Sequence, residues 1–312
     1  MTTVPFGTVS AEPLELLEKH GLDCVISPFA DNTSVENSRE HLASADYIIA
    51  GLHQFDSKLF DVAPRLKLIA RVGVGVNNID FDETKKRKIK VTYTPDAVTG
   101  AVAELVVGLI IEGQRRIVAV NNDLREGRWN KHMGYLLRGK TLGIIGVGRI
   151  GQSVIKLLQP FGIRILGNDI VEDKEFGKQF GFRYVDKDTI YRESDIISLN
   201  LSFSSSVKHL INAETLGKMK PNVYLINTAR GSLVNEQDLY SALKSKRIDG
   251  ASLDVFESEP YSGPLQELEN VVLTAHIAAA TVETRKRMEL EATQEIIRFH
   301  RGEPLLNEID RN

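Results

Sequence analysis

Residues Gly139–Gly151 have the sequence GKTLGIIGVGRIG, and this stretch decides the fold. The apolar run Thr141–Ile145 is typical of a strand buried on both faces, and the glycine motif after it leads into a predicted helix over Ile150–Leu158. A second apolar run, Ile163–Gly167, comes just before Asp169, which stands 18 residues beyond the last glycine. Strand, glycine-rich turn, helix, strand and acid at this spacing predict a dinucleotide-binding βαβ unit.

Each glycine of the motif meets a steric requirement of cofactor binding. Gly146 permits the tight turn, Gly148 lets the backbone approach a pyrophosphate, and Gly151 lets the helix pack closely on the strand. The pyrophosphate would lie at the helix N-terminus, where N–H groups and the helix dipole favour negative charge. Asp169 would accept hydrogen bonds from the ribose hydroxyls and repel a 2′-phosphate, and no arginine stands beside it in Gly167–Ile170. The sequence therefore predicts NAD rather than NADP, with a glycine turn that binds no ligand as the less favoured alternative.

Strand-like and helix-like segments alternate along most of the chain, which is typical of α/β proteins with parallel sheets. The strand-like segments are short runs rich in Ile, Val and Leu: Asp46–Ala50, Leu68–Val72, Ile89–Tyr93, Thr141–Ile145, Ile163–Gly167, Asp195–Leu199, Val223–Ile226, Ala251–Val255 and Val271–Leu273. The helix-like segments include Ile150–Leu158, Glu236–Ser245 and Glu283–Phe299.

The composition excludes several classes of protein. A chain of 312 residues is long enough for roughly two domains, and 42% hydrophobic with 26% charged residues is ordinary for a globular protein. A net charge of −3 does not suit nucleic-acid binding, and the single cysteine, Cys24, excludes an intramolecular disulfide and a CxxC-type zinc site. The first residues lack the pattern of a signal peptide, and the apolar stretch Leu105–Ile111 is too short to span a bilayer. We therefore expect a soluble, cytoplasmic protein with no metal site and no membrane or nucleic-acid partner.

Three side chains suited to catalysis, Arg230, Glu259 and His276, each come shortly after one of the last three predicted strands. Open α/β sheets bind their ligands at the carboxyl ends of the strands, so all three should project from one edge. A lone histidine in such a place is more often an ordinary surface residue. An arginine, a glutamate and a histidine placed alike downstream of a nucleotide motif favour a catalytic set instead.

The chain resembles the D-isomer-specific 2-hydroxyacid dehydrogenases along nearly its whole length. The stretches that carry the resemblance are RVGVGVNNID (Arg71–Asp80), VAEL (Val102–Leu105), GKTLGIIGVGRIG (Gly139–Gly151), NTARG (Asn227–Gly231), DVFESEP (Asp254–Pro260) and HIAAAT (His276–Thr281). Arg230, then Glu259 29 residues on, then His276 17 residues beyond that, is similar to the ordered catalytic triad of this family.

The resemblance implies an α/β protein with two parallel-sheet domains, Rossmann-like and flavodoxin-like, and an active-site cleft between them. Residues 95–280 would form the NAD-binding domain, and residues 1–94 with 281–312 a discontinuous substrate domain.

The stretch Ala101–Glu112 is apolar nearly all round, which predicts a helix buried either in a core or at a subunit interface. Because relatives dimerise through the cofactor domain, we predict a homodimer.

The roles of the triad follow from what reduction of a 2-keto acid requires, which is a hydride delivered to carbon and a proton delivered to oxygen. His276 is suited to donate the proton, and Glu259 to orient the ring and favour its protonated form. Arg230 can hold carboxylate and carbonyl oxygens with its planar fork. The glycine motif and the acid after the second strand predict cofactor contacts at Gly146, Gly148, Arg149, Ile150, Gly151 and Asp169. The resemblance implies further cofactor contacts at Thr94, Thr228, Ala229, Asp254, Ala278 and Ala279. The predicted substrate contacts are Arg71, Val74, Gly75, Arg230 and His276.

The choice of hydroxy acid is less firmly indicated. RVGVGVNNID is most similar to the D-3-phosphoglycerate dehydrogenase branch, in a short form without a C-terminal regulatory domain, and Arg71 would supply charge to the phosphate. Against this branch, the stretch Ala50–Gln54 lacks the arginine usual there, and Asn200 and Ser202 replace a more usual His and Pro. A hydroxypyruvate/glyoxylate reductase is therefore the alternative, with His53 either lining the pocket or serving as an ordinary loop residue.

A rival hypothesis from another class is a binding protein that senses NAD. Transcriptional corepressors share this fold and keep the triad, so the triad does not separate the two. The compact length and the absence of long disordered tails favour an NAD-dependent oxidoreductase that acts on the CH–OH group of D-2-hydroxy acids.

Overall fold

The computed structural model describes residues 2–3, 6–27, 39–51 and 53–309. Backbone contacts divide the chain into two compact units, one of Met1–Val98 with Ala280–Asn312 and one of Thr99–Ala279. Both ends of the chain thus belong to the same unit. Within the described ranges, no helix is both long enough and apolar enough to cross a membrane.

The unit that contains both chain ends is built on a five-stranded parallel sheet. Its strands are β1 (Thr2–Thr3), β2 (Ile26–Ser27), β3 (Tyr47–Ala50), β4 (Leu68–Arg71) and β5 (Lys90–Thr92). Its helices are α1 (Glu12–Lys19), α2 (Arg39–Ser44), α3 (Ser57–Asp61), α4 (Phe81–Arg87) and the C-terminal α12 (Val282–His300). The strand order β2-β1-β3-β4-β5 is that of flavodoxin-like folds. Helix α12 packs on α1 and β4, which explains why the C-terminal segment belongs to this unit.

The second unit is built on a seven-stranded parallel sheet. Its strands are β6 (Thr141–Ile145), β7 (Arg164–Asn168), β8 (Arg183–Tyr184), β9 (Ile196–Leu199), β10 (Tyr224–Asn227), β11 (Gly250–Leu253) and β12 (Val271–Leu273). Its helices are α5 (Thr99–Arg115), α6 (Ile117–Arg125), α7 (Arg149–Leu158), α8 (Lys174–Phe180), α9 (Lys187–Glu193), α10 (Ala213–Lys218) and α11 (Glu236–Lys244). The order β12-β11-β10-β9-β6-β7-β8 reverses direction between β6 and β9, as in doubly wound Rossmann folds. Such a switch point is where these sheets bind ligands.

Helices cover both faces of the seven-stranded sheet, so its central strands are buried throughout. Leu142 and Ile144 of β6 pack in one apolar cluster with Val106 of α5. Ile145 points to the opposite face and packs in a second cluster with Leu239 of α11. This two-sided burial is the reason that the strands are continuous apolar runs rather than alternating ones.

The predicted α/β class and all the predicted strands are confirmed, with ends that differ by no more than two residues. The helices predicted over Ile150–Leu158, Glu236–Ser245 and Glu283–Phe299 are also confirmed. The strands β1, β2 and β8 were not predicted, because two residues are too few to give a pattern.

The helix predicted over Ala101–Glu112 is present as part of α5, and its apolar character has an explanation within its own unit. Val102, Ala103, Val106, Leu109 and Ile110 are buried there, and the helix packs on α7. Exposed apolar side chains occur instead in the segment that follows α5, at Ile117, Leu124, Trp129, Met133 and Leu136.

Candidate active site

The turn after β6 lies at the switch point of the seven-stranded sheet. Gly146 has a φ of +96°, and a Cβ there would lie 2.6 Å from the carbonyl carbon of Asn200, which follows the neighbouring strand β9. A Cβ on Gly151 would lie 2.2 Å from the carbonyl oxygen of Gly146. Both positions therefore require glycine.

Helix α7 begins beside this turn without a side-chain cap. Its N-cap residue is Gly148, and apart from its chain neighbours and the helix backbone no atom of the described residues lies within 4 Å of the position that a Cβ on Gly148 would take. Arg149 and Ile150 follow in the first helical turn. An uncapped helix N-terminus with open space before it fits an anionic group such as a pyrophosphate.

Asp169 follows β7 and is fixed against the glycine turn. One of its carboxylate oxygens accepts the N–H of Val147 at 2.6 Å, and the other accepts the N–H of Val171 at 3.1 Å. These two bonds hold a negative charge beside the turn, in the place where the sequence predicts a contact to ribose.

Two buried polar atoms at the carboxyl ends of the central strands have no hydrogen-bond partner among the described residues. They are Oδ1 of Asn200, after β9, and Oγ1 of Thr228, after β10. Burying a polar atom without a partner is costly, and a ligand that supplies the missing group removes the cost. With the α7 N-terminus and Asp169, these atoms fit a dinucleotide, which offers phosphate, hydroxyl and amide groups.

His276 and Glu259 form a hydrogen-bonded pair beyond the ends of β12 and β11. His276 Nδ1 lies 2.7 Å from Glu259 Oε2, and Glu259 Oε1 accepts the N–H of Phe256 at 3.0 Å. Burial alone raises the pKa of Glu259, but the hydrogen bonds from His276 and Phe256 and the charges of His276 and Arg230 outweigh burial, so the pKa lies below its usual value. An ionised carboxylate only accepts hydrogen bonds, so Nδ1 carries a proton and Nε2 is left to exchange one with a substrate.

The loop that carries His276 is held by the fully buried carboxylate of Asp254. This carboxylate accepts hydrogen bonds from Thr274 Oγ1 at 2.6 Å, from the Ile277 N–H at 2.8 Å and from the Ala278 N–H at 2.9 Å. His276 has a φ of +54°, a conformation that costs a non-glycine residue about 1 to 3 kcal/mol. The bonds to Asp254 offset this strain and hold the imidazole in place.

Arg230 stands in the turn after β10, which Asn227 shapes. The Asn227 amide donates to the Arg230 carbonyl at 2.9 Å, and its Oδ1 accepts the Ala229 N–H at 3.1 Å. The guanidinium of Arg230 donates to the Ala229 carbonyl at 2.5 Å. Burial lowers the pKa of Arg230, and the charge of Glu259 opposes this effect. Because β10, β11 and β12 are adjacent, Arg230, Glu259 and His276 share one edge of the sheet.

The glycine-rich loop after β4, in the other unit, is organised around Arg71. Arg71 is only 5% exposed, and its guanidinium donates to the carbonyls of Ala50 at 3.3 Å, of Gly75 at 3.1 Å and of Val72. Gly73 has a φ of +140°, and a Cβ there would lie 3.2 Å from Nη1 of Arg71. The loop is therefore wrapped around a buried cation.

The other residues predicted in this unit lie in the same region. Thr94 is fully buried, its Oγ1 accepts the Gly73 N–H at 2.8 Å, and its own N–H donates to the Gly73 carbonyl at 3.1 Å. Val74 is 37% exposed on the loop. His53 is half-buried, and Leu52 beside it, in the stretch that lacks the arginine, lies outside the described residues.

Two asparagines of the site, Asn227 and Asn200, are not among the predicted site residues. Asn227 shapes the turn of Arg230, and Asn200 presents its unpartnered oxygen next to the glycine turn. Both stand at or directly after the end of a buried apolar run, and a polar residue in that position is the signal that would have found them.

The fold of the unit with the seven-stranded sheet is that of the dinucleotide-binding Rossmann domains. Residues 107–278 match the family model described as D-isomer specific 2-hydroxyacid dehydrogenase, NAD binding domain. The chain belongs to the D-isomer-specific 2-hydroxyacid dehydrogenase family, and it is an NAD-dependent oxidoreductase.

Known relatives extend the similarity over most of the chain. A glyoxylate reductase from Korarchaeum cryptofilum is 40% identical over 273 residues, which cover 85% of this chain and 82% of the relative. A D-3-phosphoglycerate dehydrogenase from Archaeoglobus fulgidus is 34% identical over 306 residues, which cover 97% of this chain and 58% of the relative. The crystal structure of a D-lactate dehydrogenase from Aquifex aeolicus, complexed with NAD and lactic acid, aligns with a TM-score of 0.85 at 30% identity, covering 96% of this chain and 95% of that one.

Proposed function

We propose that the chain uses NADH to reduce a small, unphosphorylated 2-keto acid of the glyoxylate and hydroxypyruvate type. The observation that carries this proposal is the placement of Arg71. A phosphorylated substrate needs a cation that faces it, whereas Arg71, the cation that RVGVGVNNID offers, is buried on backbone carbonyls. The 40% identity to a glyoxylate reductase supports the same choice. D-3-phosphoglycerate is the second candidate, because the relative with that name aligns with 97% of this chain.

Bound NADH supplies the hydride that adds to the carbonyl carbon of the substrate. His276 donates the proton from Nε2 to the carbonyl oxygen, while Glu259 holds the ring through Nδ1 and stabilises its protonated form. The planar fork of Arg230 holds the substrate carboxylate and polarises the carbonyl. Four side chains thus have distinct roles. His276 donates the proton, Glu259 supplies the negative charge beside it, Arg230 binds the substrate, and Asp254 fixes the geometry of the loop that carries His276.

We assign cofactor binding to residues 95–280 and substrate binding to residues 1–94 with 281–312. The backbone of the glycine turn and the first turn of α7 would hold the pyrophosphate, and Asp169 the adenosine ribose. The remaining proposed cofactor contacts are Thr94, Thr228, Ala229, Asp254, Ala278 and Ala279. The N–H groups of Val74 and Gly75 would bind the substrate carboxylate, in a loop whose shape depends on Arg71.

A panel of 2-keto acids assayed with NADH tests the substrate. We expect the highest kcat/KM for glyoxylate or hydroxypyruvate, and a higher value for the phosphorylated acid 3-phosphohydroxypyruvate would contradict the proposal. The variant Arg71→Lys separates the two interpretations of Arg71. If Arg71 shapes the loop, this variant lowers kcat/KM by the same factor for every acid, whereas a cation that faces phosphate would affect only the phosphorylated one.

Replacing Asp169 with alanine should raise the KM for NAD and narrow the preference over NADP. A hydrogen bond to a charged acceptor contributes about 1.5 to 3 kcal/mol, and loss of the carboxylate also removes the repulsion of a 2′-phosphate. Steady-state kinetics with both cofactors measures the effect. Asp169→Asn is the matched control because it keeps an acceptor for the Val147 N–H and removes only the charge. Equal kcat/KM for NAD and NADP in the unmodified protein would refute this role of Asp169.

We also propose that the chain works as a cytoplasmic homodimer. The apolar residues Trp129, Met133 and Leu136 are 75 to 85% exposed. Together with residues of α5 and α6 they line a groove of about 750 Å³. A second copy that covers this apolar surface would remove it from water. Light scattering at micromolar concentration should give twice the chain mass of 34.7 kDa. The variant Met133→Lys should shift the protein toward monomer, while Leu306→Lys, in the other unit, should not. A mass near that of one chain in the unmodified protein would contradict the proposal.

A further inference from the structure

The peptide between Phe256 and Glu257 is held by groups from outside its own loop. Glu236, the first residue of α11, accepts the Glu257 N–H at its Oε1 over 2.7 Å. A Cβ on Gly231 would lie 1.9 Å from the carbonyl carbon of Phe256, so the segment after Arg230 rests directly on this peptide. Two parts of the chain that follow β10 therefore contact a single peptide of the loop that follows β11.

Phe256 connects this peptide to Glu259 and, through it, to His276. The N–H of Phe256, in the preceding peptide, donates to Glu259 Oε1 at 3.0 Å, and the other oxygen of Glu259 holds the His276 ring. A displacement of the peptide would therefore move the carboxylate that orients the imidazole. It would also disturb the packing of Gly231, and with it the turn that presents the arginine.

The side chain of Glu257 is held from a third direction by His209. His209 Nε2 hydrogen-bonds to Glu257 Oε1. His209 has a φ of +50°, and its N–H donates to the carbonyl of Ser232 at 2.9 Å. His209 follows β9, so it joins the loop after β11, through Glu257, to the segment after β10, through Ser232.

Glu236 occupies a position where a carboxylate is not intrinsically favoured. Burial and the charges of Glu257 and Glu259 raise the pKa of Glu236, and only the hydrogen bond from the Glu257 N–H lowers it. An acid at the start of a helix is favourable in general. Here the negative charges of Glu257 and Glu259 oppose ionisation of Glu236, and its Oε1 accepts a hydrogen bond from the neighbouring loop.

We propose that Glu236 is a positioning residue for the reaction. It fixes the Glu257 N–H and thereby holds Glu259 and the His276 ring in their positions relative to Arg230. The proposal rests on the proposed roles of these three residues, but it does not depend on which 2-keto acid is the substrate. Because Glu236 acts through the loop, its loss should affect kcat rather than binding of the cofactor.

The test compares Glu236→Ala and Glu236→Gln with Asp238→Ala. Asp238 lies on the same helix and also accepts a backbone N–H, that of Ala213 at 2.9 Å, but this bond holds α10 and not the site. The readouts are kcat with the 2-keto acid that the unmodified protein reduces fastest, its dependence on pH, and the Kd for NADH from fluorescence. A small misplacement of catalytic groups can cost about 100-fold. We expect Glu236→Ala to lower kcat by about 10- to 100-fold and to move the alkaline limit of reduction to lower pH, because the loosened carboxylate protects the imidazole charge less well.

Glu236→Gln keeps the acceptor oxygen and should restore most of kcat, while Asp238→Ala should leave kcat unchanged and every variant should bind NADH as the unmodified protein does. If Glu236→Ala does not fold, Glu236→Asp replaces it, and the shorter side chain should still lower kcat. Unchanged kcat in the alanine or aspartate variant would overturn the proposal, as would an equal loss in Asp238→Ala. If glyoxylate and hydroxypyruvate are poor substrates but another 2-keto acid is reduced, the substrate proposal fails and the role of Glu236 is still tested on that acid.

Discussion

Replacing His276 with alanine should lower kcat for keto-acid reduction by about 10²- to 10⁴-fold, the usual contribution of a positioned acid–base group. This loss corresponds to about 3 to 5 kcal/mol of activation free energy. The hydride can still be delivered, but the developing alkoxide would have to take its proton from water. Binding of NADH should hardly change, because the His276 ring is held by Glu259 and lies beyond β12, away from the uncapped start of α7.

Steady-state kinetics and NADH fluorescence together check this expectation. His276→Asn is the matched control for the backbone, because asparagine tolerates a φ of +54° better than alanine does. If the imidazole donates the proton, kcat should fall by a similar factor in both variants. A kcat within 10-fold of the unmodified value in both variants would mean that another group donates the proton.

Replacing Arg230 with lysine should raise KM for the keto acid and lower kcat together, with a combined loss in kcat/KM of about 100-fold or more. Losing one charge-assisted hydrogen bond costs about 1.5 to 3 kcal/mol, and a lysine cannot reproduce the two parallel bonds of a guanidinium. Burial lowers the pKa of Arg230. The ordinary pKa of a lysine is only about 10.4, so the same burial would make a lysine lose its positive charge more readily than the arginine does.

Kinetics of Arg230→Lys should be compared with Arg183→Lys, a change at an exposed arginine of β8 in the same unit. Arg183→Lys should leave both KM and kcat unchanged. If Arg230→Lys raised KM and left kcat intact, Arg230 would bind ground state and transition state equally and would have no part in polarising the carbonyl.

Much of this structure could be predicted from local pattern. A strand covered by helices on both faces must be apolar throughout, so the runs before Gly146 and Arg230 identify their own strands. The run before His276 is the half-buried edge strand β12, which its three apolar residues also indicate. Chain order then indicates which residues follow a strand, and parallel pairing brings those residues to one edge. This logic located Arg230, Glu259 and His276 at adjacent strand ends without any knowledge of their distances.

The remaining features depend on contacts that sequence distance does not reveal. The sequence of RVGVGVNNID presents Arg71 as a cation, yet only the fold shows that its guanidinium turns inward onto the carbonyls of Ala50 and Gly75. Asp254 has the residue type of a cofactor ligand, and its three bonds to the His276 loop emerge only when β11 and β12 lie side by side. Glu236 has the appearance of an ordinary helix-start acid until the Glu257 N–H is seen beside it.

We expect the negative charge of Glu259 to stabilise the protonated imidazole of His276 during reduction, and the pH–rate profile of Glu259→Gln measures this effect. Because the pKa of Glu259 lies below its usual value, the carboxylate is ionised at neutral pH and loses its charge only well into the acid range. In the unmodified protein, the carboxylate therefore keeps its negative charge beside the imidazole from neutral pH upward. Glu259→Gln keeps the shape but removes the stabilising charge, so the rate of reduction should begin to fall at lower pH, with NADH binding unchanged. A profile for Glu259→Gln that superimposes on that of the unmodified protein would mean that the charge of Glu259 has no such effect on His276.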